Sequence, residues 1–309
     1  MRIFFKAILI IAVGMAVLTL VGCLGLRSLW HKIATAPMAP EDYATEVMTG
    51  GDVEAKYMRY GKHLIKYFET DYPENEDIKK VEIWYPADME KSESKYPVAL
   101  FLNGTGVGAS RYKPVFEHLA SWGFIAVGNE DPSTWEGKKA DITLDWLLKA
   151  NEDEKSLFYQ KIDINNIGVT GHSQGGVGVY SAINATEHKD LYKCAVSLSP
   201  TEEKLAAALK MPYDPVLTQI PIFMLCSVKN DVISPKDMTL SYEKVASPKV
   251  MAARKNANHG QMLYVADGYV TAWFMWQLQG DEKAARAFIG DAPEIMTNPL
   301  YQDQKVSLQ

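Results

Sequence analysis

The stretch Gly168-Val169-Thr170-Gly171-His172-Ser173-Gln174-Gly175-Gly176 decides how this chain is read. It contains G-x-S-x-G, with Gly171 and Gly175 flanking Ser173. Ile167-Gly168-Val169 before it reads as the end of a buried strand. Val177 to Ala185 after it is compatible with a helix. A serine on so sharp a strand-to-helix turn takes a strained backbone, and glycines without Cβ let neighbouring chain come close. That geometry lifts the hydroxyl out of the sheet edge. It also sets the Gln174 N–H beside the hydroxyl, at the start of the following helix. Three fixed positions can arise by chance, so the reading depends on what the rest of the chain supplies.

Upstream, Ile65–Phe68 and Val81–Tyr85 are rich in β-formers, and Pro97–Leu102 is a continuous apolar run suited to a strand buried on both faces. Phe124–Val127 follows a helix-compatible run from Tyr112 to Trp122. A helix ending near Asn151 precedes the strand that delivers Ser173. Downstream come strands at Cys194–Leu198, Ile220–Val228 and Pro248–Ala253. Helices are expected at Lys236–Val245, which Pro235 starts, at Gln261–Leu278, and in a short piece over Asp281–Ile289. Strand and helix alternate, which predicts an α/β fold: a mostly parallel sheet with helices on both faces. Functional groups of such sheets collect at the carboxyl ends of the strands.

Two acid–base candidates lie at such ends. Asp231 follows the Ile220 strand and His259 follows the last one, in the sequence Asn256-Ala257-Asn258-His259-Gly260. A serine hydroxyl needs a histidine to take its proton, and the histidine needs a carboxylate to fix its tautomer and stabilise the imidazolium. Ser173, Asp231 and His259 are therefore the candidate catalytic residues. The backbone amides of Gln174 and of Thr105, in the loop Asn103-Gly104-Thr105, are the candidate oxyanion donors. Each has a plainer alternative. Asp231 can be a turn residue or a helix cap, with Asp237 as the fallback acid. His259 can be a loop histidine bonded to backbone. His31, His63, His118 and His188 follow no late strand, and His172 is expected to pack beneath the turn. Trp135, in the loop after a strand, either binds an acyl or aromatic group or packs under that loop. Trp273 and Trp276 are expected in the core. No cluster has metal-ligand spacing, and the chemistry requires no cofactor.

The 309 residues are 47% hydrophobic and 23% charged, an ordinary globular composition. A net charge of −6 makes nucleic acid a poor partner. Arg2 and Lys6 precede an uncharged stretch from Ala7 to Leu26, so residues 1–26 read as a signal peptide or membrane anchor. Inside it, Leu20-Val21-Gly22-Cys23 resembles a lipoprotein processing box, which would lipidate Cys23. An uncleaved anchor stopped by Arg27 and ordinary secretion are the alternatives. All three export the protein and place it at the cell envelope or beyond. Residues 27–55, with Pro37, Pro40, Gly50 and Gly51, read as a tether, and 56–309 as the catalytic domain. Cys194 and Cys226 lie in core strands, out of register with each other, and are expected as free thiols.

Tyr85-Pro86-Ala87, Asn103-Gly104-Thr105, Gly171–Gly176, Asp231 and Asn258-His259-Gly260 together resemble the α/β-hydrolase superfamily. They are most similar to the branch of dienelactone-hydrolase-like esterases, chlorophyllase-like proteins, platelet-activating-factor acetylhydrolases and cutinase-type polyester hydrolases. The resemblance covers roughly residues 57 to 290. It implies an α/β-hydrolase fold and a serine hydrolase that cleaves carboxylic esters through an acyl-enzyme. Dienelactone hydrolases proper carry a cysteine where this chain has Ser173, which disfavours that reaction. The region from Ser199 to Pro221 holds one short helical run and no large lid, which implies an open site. A serine peptidase or acyltransferase could use the same three residues, and a non-catalytic binding protein could keep the fold.

Overall fold

The computed structural model describes residues 36–72 and 78–308. Among them, β1 (Ile65–Asp71), β2 (Lys80–Pro86), β3 (Tyr96–Leu102), β4 (Ile125–Asn129), β5 (Ile162–His172), β6 (Tyr192–Leu198), β7 (Ile222–Ser227), β8 (Lys249–Arg254) and β9 (Tyr301–Ser307) form one sheet. The helices are α1 (Tyr43–Glu46), α2 (Asp52–Met58), α3 (Lys113–Ser121), α4 (Lys138–Glu152), α5 (Gln174–Ala185), α6 (Glu203–Ala208), α7 (Pro235–Lys244), α8 (Met262–Val265), α9 (Asp267–Gln279), α10 (Glu282–Ala285) and α11 (Glu294–Thr297). The strand order is β1-β2-β4-β3-β5-β6-β7-β8-β9. Pairing is parallel from β4 through β8, and antiparallel for β1–β2, β2–β4 and β8–β9. This is the mostly parallel α/β-hydrolase sheet that the sequence predicts.

Alternation along each strand builds a core on both faces. Ala99 and Phe101 of β3 meet α3 and α9 on one face. Val98, Leu100 and Leu102 meet α4 and α5 on the other. The chain leaves β3 for β4 on one side and returns to β5 on the other. The direction of winding thus reverses between β3 and β5, where doubly wound sheets open a crevice at their carboxyl ends. Ser173 and the Asn103–Thr105 loop both emerge there.

Three expectations are corrected. The tether does not extend to residue 55, because the compact unit begins at Met38. Tyr43, Glu54, Tyr57 and Met58 are buried, and α2 lies on α9. A Cβ on Gly268 would come within 2.5 Å of the Glu54 carbonyl oxygen, so glycine is what lets these helices approach. The buried Glu54 carboxylate accepts from Gly50 N, Asn298 Nδ2 and Tyr301 Oη at 2.7–2.8 Å. Glu294 accepts from the Val53 and Glu54 amides at the start of α2. Asn298, Tyr301 and Glu294 lie more than 200 residues away in sequence, beyond any local pattern.

The helix expected over Gln261–Leu278 breaks at Ala266 (φ −105°, ψ 6°) into α8 and α9. The strand at Pro248–Ala253 is not the last: β9 follows it in the chain and pairs with it. Its residues are mostly polar and half-exposed, as suits an edge strand, and its pairing with β8 supplies what its composition does not. Cys194 and Cys226 are buried free thiols. Leu198 pairs with Leu225 in the β6–β7 register, which leaves the two cysteines several residues apart along the ladder. The segment 1–26, Cys23 and the first part of the tether lie outside the described residues.

Candidate active site

Ser173 leaves β5 with φ 62° and ψ −121°, a positive φ that side-chain-bearing residues rarely adopt. Its neighbours permit the turn. A Cβ on Gly171 would sit 2.3 Å from the Gly175 carbonyl oxygen, and one on Gly175 would sit 2.0 Å from the Leu102 carbonyl oxygen. Both contacts are to backbone and cannot relax cheaply. The Ser173 carbonyl accepts from the Gly176 and Val177 amides and so opens α5.

His259 Nε2 lies 2.9 Å from Ser173 Oγ, and His259 Nδ1 lies 2.8 Å from Asp231 Oδ1. The carboxylate only accepts, so Nδ1 carries the proton and Nε2 is the bare nitrogen facing the hydroxyl. The Asp231 side chain is 2% exposed. Burial pushes its carboxyl up, but hydrogen bonds from His259, from Ser199 Oγ and from the Ser227 amide outweigh this and hold it below the ordinary carboxylate range. The Val232 amide donates to Oδ1 at 2.8 Å. His259 N in turn donates to the Asn230 carbonyl at 3.1 Å, tying the two loops together.

The loop after β3 comes against the serine. A Cβ on Gly104 would be 3.6 Å from Ser173 Cβ. The Gly104 amide donates to Tyr112 Oη at 2.8 Å and is used up. Among the described residues the Thr105 amide makes no hydrogen bond. Gln174 opens α5, where an amide has no intrahelical acceptor. Asn103 Nδ2 pins the loop through the Asn129 and Asp131 carbonyls at 2.6 and 2.9 Å. The Gln174 side chain, unreadable in sequence, accepts from the Thr134 amide and reaches Met211 Sδ.

The other candidates are placed elsewhere. Asp237 is half-buried, and its amide and side chain bond Ser234 at the start of α7, a helix cap. His63, His118 and His188 each meet an aspartate (Asp88, Asp267 and Asp145) at 2.6–2.9 Å, with no serine on the opposite nitrogen. His31 lies outside the described residues. Trp135 is half-buried against the cluster of Val177, Ala206 and Met211, next to Thr134. Trp273 is fully buried, while Trp276 packs on the core's edge.

Two further residues border the site. Ser199, directly before Pro200, donates its hydroxyl to Asp231. His172 does more than fill space: its Nε2 lies 2.7 Å from the His259 carbonyl oxygen. The carboxyl-end rule points to Ser199, because it follows β6 directly.

The arrangement can pass a proton from Ser173 to His259 and hold the resulting imidazolium against Asp231. A family model described as "Chlorophyllase" matches residues 45–234, more than half of the chain. The match takes in Thr105, Ser173, Gln174 and Asp231 and ends before His259. Chlorophyllase-1, chloroplastic, from Citrus unshiu and from Citrus sinensis is 34% identical over 91 residues, 26% of this chain and 26% of each relative. Carboxylesterase 1C of Mus musculus is 28% identical over 142 residues, 40% of this chain and 24% of the relative. The aligned part of this chain thus spans about a quarter of the length of those relatives.

Proposed function

The chain belongs to the chlorophyllase family of carboxylic ester hydrolases, and on that premise we propose that it cleaves esters through Ser173, His259 and Asp231. Ser173 attacks the ester carbonyl while His259 takes its proton. The Thr105 and Gln174 amides hold the developing oxyanion. His259 then protonates the departing alcohol, leaving an acyl-enzyme on Ser173. Water, deprotonated by His259, releases the acid. Asp231 fixes the tautomer and stays ionised throughout. The observation that carries this reading is Ser173 Oγ 2.9 Å from His259 Nε2, with Asp231 2.8 Å from the other nitrogen. Trp135, beside Thr134, would border the acyl or aromatic part of the ester. Only α6 and a short 3-10 turn (Pro215–Leu217) stand between β6 and β7, which supports an open site for soluble or polymer-end esters.

The test is hydrolysis of p-nitrophenyl acetate and butyrate by protein lacking residues 1–26. Turnover that Ser173→Ala abolishes supports the proposal. Full activity in Ser173→Ala overturns it.

We propose also that residues 1–26 export the protein and that Cys23 is lipidated, which would hold the enzyme at the cell envelope. Support comes from the charge-free stretch and the small residue before Cys23. Label from radioactive palmitate should vanish in Cys23→Ala; label that persists there, or its absence from wild type, contradicts lipidation.

A further inference from the structure

Beneath the catalytic constellation lies a second imidazole. His172 is the last residue of β5, one step before Ser173, and is 3% exposed. Its Nε2 faces the His259 carbonyl oxygen at 2.7 Å. A carbonyl can only accept, so Nε2 carries the proton and donates. The two rings also lie face to tilted face, with centroids 4.6 Å apart and planes at 34°. His172 therefore grips the backbone of His259 and supports its ring. No other described hydrogen bond joins the β5 terminus to the His259 residue except Ser173 Oγ itself.

We propose that His172 is a positioning residue: by holding the His259 carbonyl and ring, it fixes the distance between the base and the serine hydroxyl. The proposal rests on the hydrolase reading above. The covalent logic of the turn makes it effective. The strand that aims Ser173 ends in the residue that holds His259, so nucleophile and base are referenced to one short piece of backbone. The His259 loop is otherwise joined to this region through Asn230 and Asp231, from the neighbouring strand's loop.

The charge state of His172 suits this role. Burial, and then the proximity of His259, pull its pKa down to about 4, so at neutral pH it is an uncharged donor. The other charged group facing the pair is Asp231, whose influence on His172 runs the opposite way and is smaller. A neutral ring adds no repulsion when His259 becomes an imidazolium in the reaction.

The experiment compares His172→Gln, His172→Phe and His172→Ala in the full chain on p-nitrophenyl butyrate, with Ser173→Ala alongside and Tm recorded for each. Gln retains an N–H that can reach the carbonyl; Phe retains a ring without a donor; Ala retains neither. A misplaced base should slow the chemical step and spare binding, so kcat falls about 10- to 100-fold in Phe and Ala, with KM within about twofold. Gln should recover much of kcat. The proposal is overturned if Phe and Ala keep wild-type kcat, if Gln is no better than Ala, or if the kcat loss simply follows Tm. Phe could overfill the site and unfold; Ala, smaller than His, then decides with Gln. If Ser173→Ala is fully active, the hydrolase reading has failed. If it is inactive while the His172 variants are fast, only the role of His172 has failed.

Discussion

Ser199 Oγ donates to Asp231 Oδ2 at 2.7 Å, on the carboxylate oxygen turned away from His259. The Ser227 amide donates to the same oxygen at 2.7 Å. These donors offset what burial does to the carboxyl and keep it ionised and oriented. Ser199→Ala removes one of them, a bond to a charged group worth about 2 kcal/mol. The Asp231 pKa then moves up towards the ordinary range. At neutral pH the carboxylate remains ionised, so kcat/KM should fall less than about tenfold there and further as the pH drops. A depressed carboxyl pKa lends stability above the unfolded value that is lost as pH falls. Acid unfolding of Ser199→Ala should therefore begin at higher pH than in wild type. Identical acid transitions and identical pH–rate profiles would remove Ser199 from the account.

Gly175 and Gly260 form a matched pair of glycines near the two reacting groups. A Cβ on Gly175 meets the Leu102 carbonyl at 2.0 Å, whereas one on Gly260 meets nothing closer than Asn258 Oδ1 at 3.7 Å. Gly175→Ala should cost about 3 kcal/mol or more and abolish activity, because backbone must shift at the turn. Gly260→Ala should retain wild-type stability to within a fraction of that. Denaturant titrations of the two variants check this, and equal losses would contradict it.

The packed segment before β1 makes a truncation prediction. A chain starting at residue 36 should fold, since the compact unit begins at Met38. A chain starting at residue 59 loses Tyr43, Tyr57 and Met58, each worth about 1.5–3 kcal/mol when buried, and bares α9. It should be insoluble or melt far lower. A well-behaved fragment from residue 59 would show that α1 and α2 are dispensable.

Glu82 predicts an unusual pH dependence of stability. Burial pushes its carboxyl up to about 7; the Tyr67 hydroxyl, donating at 2.6 Å, opposes this, and the nearby Glu130 charge adds to it. Between the ordinary carboxyl range and about 7, the folded protein binds a proton that the unfolded chain has lost. This contribution to stability is present at acidic pH and is lost as pH rises through that window. Glu82→Gln carries no such proton, so its Tm relative to wild type should rise by a few degrees between about pH 5 and pH 8. A constant Tm difference across that range would count against it.

Much of the fold was legible because its signals are local. Apolar runs of four to eight residues mark buried parallel strands, and Pro or Gly marks their ends. The candidate site was picked out for the same reason: Ser173, Asp231 and His259 each sit just past such a run. What escaped depends on distant partners. The burial of Glu54 depends on Asn298 and Tyr301, which arrive from the other end of the chain. β9 has no apolar alternation and exists through pairing with β8. α9 has no polar face to declare it a surface helix, because α2 covers its outer side. Ser199 and His172 act through hydrogen bonds to Asp231 and to the His259 carbonyl, and neither contact has a sequence pattern.

The central claim is that Ser173 carries the acyl group. Its most direct measurement is intact-protein and peptide mass spectrometry after brief reaction with a fluorophosphonate probe, in wild type, Ser173→Ala and His259→Gln. One stoichiometric adduct is expected on the peptide bearing Ser173, none in Ser173→Ala, and labelling slowed at least about 100-fold in His259→Gln. An adduct on another residue, or no adduct on folded wild-type protein, would contradict it.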